Sequence, residues 1–257
     1  MSLTDSHTGF FGKVRSHGDF VTRRLPVSFT RIWDDWLQAS LHASRDHLGP
    51  LWLKTYLNSP IWRFALAPGA CGAQAWAGVL MPSVDRVGRH FPLTIAASVL
   101  GTTPLLEWMA ETGAWYDQLE TLALSALQDD FTLDKFDANL SLIRAPLEAT
   151  VSTNECNDTA QGQSIAHVMA LENLDHLKDA IPKLSWAIAA ALLKGHSLWW
   201  TEGSQQIAPN VLVHKGLPTA SLFPAMLDGQ WLAHGWHDVG IAKSGHSCAT
   251  QTATQHK

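Results

Sequence analysis

Charge of both signs is concentrated in two short stretches of the chain. Between residues 13 and 24 lie Lys13, Arg15, His17, Asp19, Arg23 and Arg24. Arginine presents a planar fork suited to carboxylate and phosphate, and a local positive excess in an acidic chain steers an acidic or phosphorylated partner. The competing reading is a solvated loop in which Asp19 pairs with one of the arginines. The second stretch holds Asp85, Arg86, Arg89 and His90. That mixture can hold an anion or do acid and base work, or it can form an internal salt-bridge network that supports its own loop. No Ser, Cys or further carboxylate stands nearby in the context of an activated nucleophile, so structural support or partner contact is the better reading. His234 and His237 are three apart, the spacing at which a helix lets two imidazoles share a metal, yet Gly229, Gly235 and Gly240 argue against a helix there. No metal is expected. Cys71, in the run PGACG, reads as a packed small hydrophobe rather than a reactive thiol. Neither GxGxxG after a strand nor GxxxxGK[ST] occurs, so no nucleotide cofactor is expected.

The elements that must position these residues follow from hydrophobic spacing. Residues 9–14 (GFFGKV) alternate as a strand, and the turn-like 16–19 breaks it before a charged loop. Ser28 is a candidate N-cap for a helix in which Phe29, Ile32, Trp33, Trp36, Leu37 and Leu41 recur at steps of three and four, closed by Gly49 and Pro50. Trp33 and Trp36 belong to its buried face. Residues 61–66, 74–81 and 93–100 are three short apolar runs, read as consecutive strands, with 82–92 a surface loop. Thr103 and Pro104 open a helix to about residue 128, and another begins at Thr132. The polar stretch 152–163 is the best internal boundary. Beyond it come a strand or short helix at 164–171, a buried helix over 182–194 ended by Gly195, strands at 197–201 and 211–214, and a short helix within 218–227. Together these predict an α/β protein, a three-layer α/β/α sandwich around a mixed, partly antiparallel sheet. Residues 1–8 read as a flexible leader and 9–145 as one part. Residues 146–241 read as a C-terminal part of the same or of a second small α/β unit, and 242–257 as a disordered tail.

Composition narrows the class. In 257 residues there are 12 Trp and only 2 Tyr, an aromatic load that needs a core to bury it. Eighteen Lys and Arg against 23 Asp and Glu leave a net charge of -5, the wrong sign for a chain that grips nucleic-acid phosphates. The longest strongly apolar run, LSWAIAAALL, is about ten residues, roughly half of what a membrane-spanning helix needs. The start MSLTDSH has no basic run before an apolar one, so no secretory signal is read and the cytoplasm is the expected compartment. The three cysteines, Cys71, Cys156 and Cys248, lie far apart and suggest reduced thiols.

Four collinear strings resemble one family: GFFGKVRSHGDFVTRRLP (9–26), FTRIWDDWLQASL (29–41), YLNSPIWRFALAPGACG (56–72) and WAGVLMPSVDRVGRHFPL (76–93). It is the TagF family, also called ImpM, of type VI secretion-associated proteins. SLWWTEGS (197–204), GLP (216–218) and FPAMLDG (223–229) resemble its weaker second set of blocks. The resemblance implies a three-layer α/β/α sandwich and a bacterial cytoplasmic protein that restrains the secretion apparatus after translation. It implies a binding protein rather than an enzyme, whose partner is a forkhead-associated (FHA) domain component of that apparatus. The family supplies no catalytic residues. On this reading Gly9, Gly12, Gly18, Gly69, Gly72 and Gly88 are turn positions, and Trp62, Phe64, Trp76 and Phe91 are core. Lys13, Arg15, Asp19, Arg23, Arg24, Asp85, Arg86 and Arg89 are the candidates for partner contact, because a core cannot absorb charge unless it is paired. Two other functions fit the composition: a small hydrolase built on Asp85, Arg86, Arg89 and His90, and a structural accessory subunit of the apparatus.

Overall fold

The computed structural model describes residues 8–99, 105–146, 184–185, 188–189 and 191–240. Residues 1–7 of the expected leader, the expected helix start at Thr103 and Pro104, the polar boundary, the element at 164–171 and the expected tail lie outside the described residues. In chain order the elements are β1 (Gly9–Gly12), β2 (Val21–Arg23), α1 (Val27–Leu48), α2 (Trp52–Leu57), β3 (Trp62–Leu66), β4 (Ala75–Met81), β5 (Leu93–Val99), α3 (Leu105–Glu111), α4 (Gly113–Ser125), α5 (Leu133–Leu142), β6 (His196–Thr201), β7 (Asn210–Lys215) and α6 (Ala225–Asp228).

The strands form one sheet in the order β2-β1-β5-β4-β3-β6-β7. Every pairing in it is antiparallel, which corrects the expected mixed sheet. The connections β3–β4 and β4–β5 are too short for the crossover that parallel neighbours require. The parallel contact between His196 and Gly216 is an isolated bridge. β6 and β7, from the C-terminal part, extend the sheet formed by the N-terminal strands.

Strands β3, β4 and β5 are buried nearly end to end, because both faces of the sheet are covered. Ala65, Ala77, Val79, Met81, Ile95 and Leu198 share one apolar cluster with Trp108, Tyr116, Leu119, Phe136 and Leu140 of α3 to α5. Trp62, Phe64, Trp76, Leu80 and Trp199 share the other with Phe29, Trp33, Leu37 and Leu41 of α1, and with Met226 and Leu227 of α6. The predicted core residues Trp62, Phe64, Trp76 and Phe91 are all buried. A buried indole needs a partner for its N–H. Trp33 donates to Thr94 Oγ1 at 2.8 Å, Trp52 to Ser44 Oγ at 2.8 Å, and Trp62 to the Met226 carbonyl at 3.0 Å. The last bond ties α6 to the sheet.

Several boundaries differ from expectation for local reasons. α1 starts one residue before Ser28, with Pro26 at the N-cap accepting from the Phe29 and Thr30 amides. The single helix expected from 103 to 128 is two. Thr112 turns its hydroxyl back onto the Trp108 carbonyl at 2.6 Å and Gly113 follows, a pairing of side-chain competition and poor propensity that favours a break. β2 occupies part of the stretch read as loop. The helix read as buried over 182–194 exposes Ile188 and Leu192. Gly9 and Gly12 are not turns but strand positions where a Cβ would meet the Arg23 and Pro92 carbonyls at 2.5 and 2.1 Å.

Candidate functional site

The 82–92 loop closes between β4 and β5 as a narrow turn. The Val84 and His90 backbones bridge, the Asp85 amide donates to the Arg89 carbonyl at 3.0 Å, and the Gly88 amide donates to Asp85 at 3.1 Å. Gly88 takes φ 87, a left-handed conformation for which glycine is the default residue. The Asp85 side chain fills the interior of this turn. Its Oδ1 accepts from the amides of Val87 at 3.0 Å and Arg89 at 2.8 Å, and its Oδ2 accepts from Lys13 Nζ and Arg89 Nε, both at 2.7 Å. Burial alone would push this carboxyl upward, but the bonds from Lys13, Arg89 and Val87 outweigh it and hold Asp85 well below the usual carboxylate range.

Lys13 follows β1 directly, so its bond to Asp85 joins the N-terminal strand to the loop. The Lys13 and Asp85 side chains are 7% and 0% exposed, an ion pair removed from water. The turn after β1 is stitched to the same loop. The Arg86 amide donates to the His17 carbonyl at 3.0 Å, the Arg89 guanidinium donates to the Gly18 carbonyl, and Asp19 lies 4.0 Å from Arg89. Phe20 stacks on Phe11 at 5.6 Å and meets Phe91 edge-on at 4.8 Å, with Lys13 Nζ 5.1 Å from its ring centroid.

The structure therefore brings Lys13, Asp19, Asp85 and Arg89 together, with Arg86 on the same loop and its side chain exposed. It sends the other candidates elsewhere. Arg15 donates to the Leu127 carbonyl at 2.6 Å and lies 3.6 Å from Asp129 beyond α4. Arg24 donates to the Thr8 carbonyl at 2.8 Å and pairs with Asp137 of α5 at 2.6 Å. Arg23 is exposed on β2, and its guanidinium donates to the carbonyl of its neighbour Thr22 at 3.0 Å. His90 lies with its ring 5.8 Å from those of Trp52 and Tyr56. Burial, then the Arg45 charge, holds its imidazole below the ordinary range.

Two apolar residues that the charge pattern did not single out are exposed on these two turns. Phe20 is 47% exposed and Val87 64% exposed. The available signal was an apolar residue inside each charged string, DFV and RVG. The Asp85 carboxylate beneath them accepts from four donors.

The histidines at 234 and 237 separate. His234 Nε2 lies 2.9 Å from Asp228 Oδ2, with its ring 4.4 Å from that of His47, while His237 is exposed. Among the described residues no group of three or more His, Cys, Asp or Glu is arranged to hold a metal. Cys71 is buried, and burial pushes its thiol up to about 12.

The molecule is thus an α/β protein whose antiparallel sheet presents an ion-pair-anchored double turn at one end. Residues 9–143 match the family model of the TagF N-terminal domain, type VI secretion system-associated, and the chain belongs to that family. Among solved structures it is similar to PA0076 from Pseudomonas aeruginosa PAO1, at 34% identity and a TM-score of 0.74, over 93% of this chain and all of that one. No curated protein matches. No helix among the described residues is long and apolar enough to cross a membrane.

Proposed function

We propose that this protein is a cytoplasmic, non-enzymatic negative regulator of a bacterial type VI secretion system, acting after translation by occupying an FHA-domain component of the apparatus. Membership of the family carries the association with type VI secretion, and the resemblance of the four strings carries the partner. The chemistry of the double turn supports binding: Arg86, Val87 and Phe20 are exposed on a scaffold fixed by the buried Lys13–Asp85 pair. Asp85 already accepts from four donors within that scaffold, and the His90 ring packs beside Trp52 and Tyr56, which supports binding over the hydrolase reading. The proposal takes the fold as three layers, α1 and α2 with α6 against one face of the sheet and α3 to α5 against the other.

The test is co-purification with the FHA-domain protein of the same secretion cluster. Arg86→Glu with a native melting curve should lose the complex. If the wild-type chain forms no complex, or if secretion in a deletion strain is unchanged, the reading is lost.

A further inference from the structure

The two edges of the sheet differ. β2 is three residues long, and the chain leaves it through Arg24 at φ 60. A short edge that carries charge resists further pairing. β7 runs six residues, NVLVHK, with neither Pro nor Gly, and among the described residues no strand lies beyond it. Its register sets Val211 opposite Trp200 and Val213 opposite Leu198, on the sheet face covered elsewhere by α3 to α5. There Val211 is 56% exposed and Val213 46% exposed. Leu212 points to the other face, opposite Trp199, and is buried. Backbone groups with no partner among the described residues, flanked by exposed β-branched side chains, are a template for one more strand.

We propose that β7 pairs with β7 of a second copy of this chain, antiparallel about a two-fold axis at Leu212, joining two sheets into one. A second copy is the occupant because the strand is complementary to itself. In this register Val211 of each copy lies opposite Val213 of the other, so both exposed valines gain an apolar cross-strand neighbour on one face. A two-fold contact requires such a pattern, symmetric about its centre. Asn210 falls opposite His214. Lys215 falls opposite Pro209, which places the two lysines at opposite ends of the contact, roughly 20 Å apart along the strands. Continuing the register of Thr201 with Asn210 by one step sets the exposed Glu202 beside Pro209. An incoming Lys215 thus has a carboxylate two strands away, roughly 10 Å between backbones. Centring the contact on Val213 instead would keep a single valine pair, Val213 with Val213, and set Lys215 against Val211 at both ends.

This dimer does not depend on the regulatory reading. Sedimentation velocity of the full chain over a concentration series should show a monomer–dimer equilibrium. Val213→Lys sets a charge against Val211 at both symmetry-related positions. It should weaken association about tenfold or more, ~1.4 kcal/mol, with circular dichroism and melting unchanged. The register has its own readout in a background with Cys156 and Cys248 replaced by Ser. Val211→Cys mixed with Val213→Cys should crosslink under mild oxidation, because directly opposed Cβ atoms lie about 4.5–5.5 Å apart. Neither variant alone should crosslink as well. A chain that is monomeric at every concentration overturns the proposal, as does a dimer indifferent to Val213→Lys or a crosslink absent from the mixture. Binding of an extended peptide from another protein along β7 of a monomer would also count against it.

Discussion

Replacing Asp85 by Ala probes the scaffold of the double turn. The substitution leaves the Lys13 ammonium, whose side chain is 7% exposed, without its anion. It also strips the Val87 and Arg89 amides of their acceptor. Removing one partner of a buried ion pair costs about 3–5 kcal/mol, because the remaining charge stays desolvated. For a domain of this size each kcal/mol lowers Tm by about 2–4 °C, so a fall of roughly 6–20 °C is expected. Urea unfolding should show it as a lower midpoint at unchanged slope. Adding Lys13→Met to Asp85→Ala should recover much of the loss, since removing both members of a buried pair is often near neutral. The pH dependence follows from the direction of the Asp85 shift. A carboxylate held below its unfolded value contributes its full stabilisation above that value, about 3.9, and loses it as pH falls toward the folded one. The gap between wild type and Asp85→Ala should therefore be constant near neutrality and narrow below about pH 4. A single substitution costing under about 1 kcal/mol, or a double variant no more stable than the single one, would refute the claim that this pair holds the loop to β1.

Three further outcomes are expected. Gly78→Ala places a Cβ 2.0 Å from the Ile95 carbonyl and 2.9 Å from the Phe64 ring. It should destabilise by about 1–3 kcal/mol in chemical denaturation, and a neutral result would show that β4 and β5 can separate to admit a methyl. Arg63 in β3 donates to Glu120 at 2.7 Å and to Asp117 at 2.8 Å, with its own side chain 7% exposed. Arg63→Ala should cost about 3–5 kcal/mol of thermal stability through the unpaired Glu120 and lost packing, and Arg63→Lys should recover only part of it. With Cys156 and Cys248 replaced by Ser, the thiol of Cys71, pushed up to about 12 by burial, should resist a maleimide or disulfide reagent at pH 8 until denaturant is added. Rapid labelling in the native state would contradict its burial.

The elements with strong spacing were readable from the sequence. α1 shows its face through Phe29, Trp33, Leu37 and Leu41, and β3 to β5 show as apolar runs because both sheet faces are covered. β2 was not readable: three residues, one buried and two exposed, carry too little alternation to stand out from a charged loop. The break at Thr112 depends on one hydroxyl turning back onto the Trp108 carbonyl, which the helical pattern hides. Charge pattern marked the eight candidate residues but could not sort them, since the partners of three lie far away in sequence. Arg24 answers to Asp137, Arg15 to Asp129 and Lys13 to Asp85. Nothing in the sequence around the exposed Arg86 distinguishes it from the buried Asp85 beside it.

The most direct test of the central claim is the affinity of the purified chain for the FHA-domain component, measured by titration calorimetry for wild type, Arg86→Glu and Val87→Asp. The account predicts a one-to-one complex whose affinity falls about tenfold or more in each variant, with melting temperatures at the wild-type value. Wild-type affinity in both variants would contradict the assignment of the double turn as the binding face.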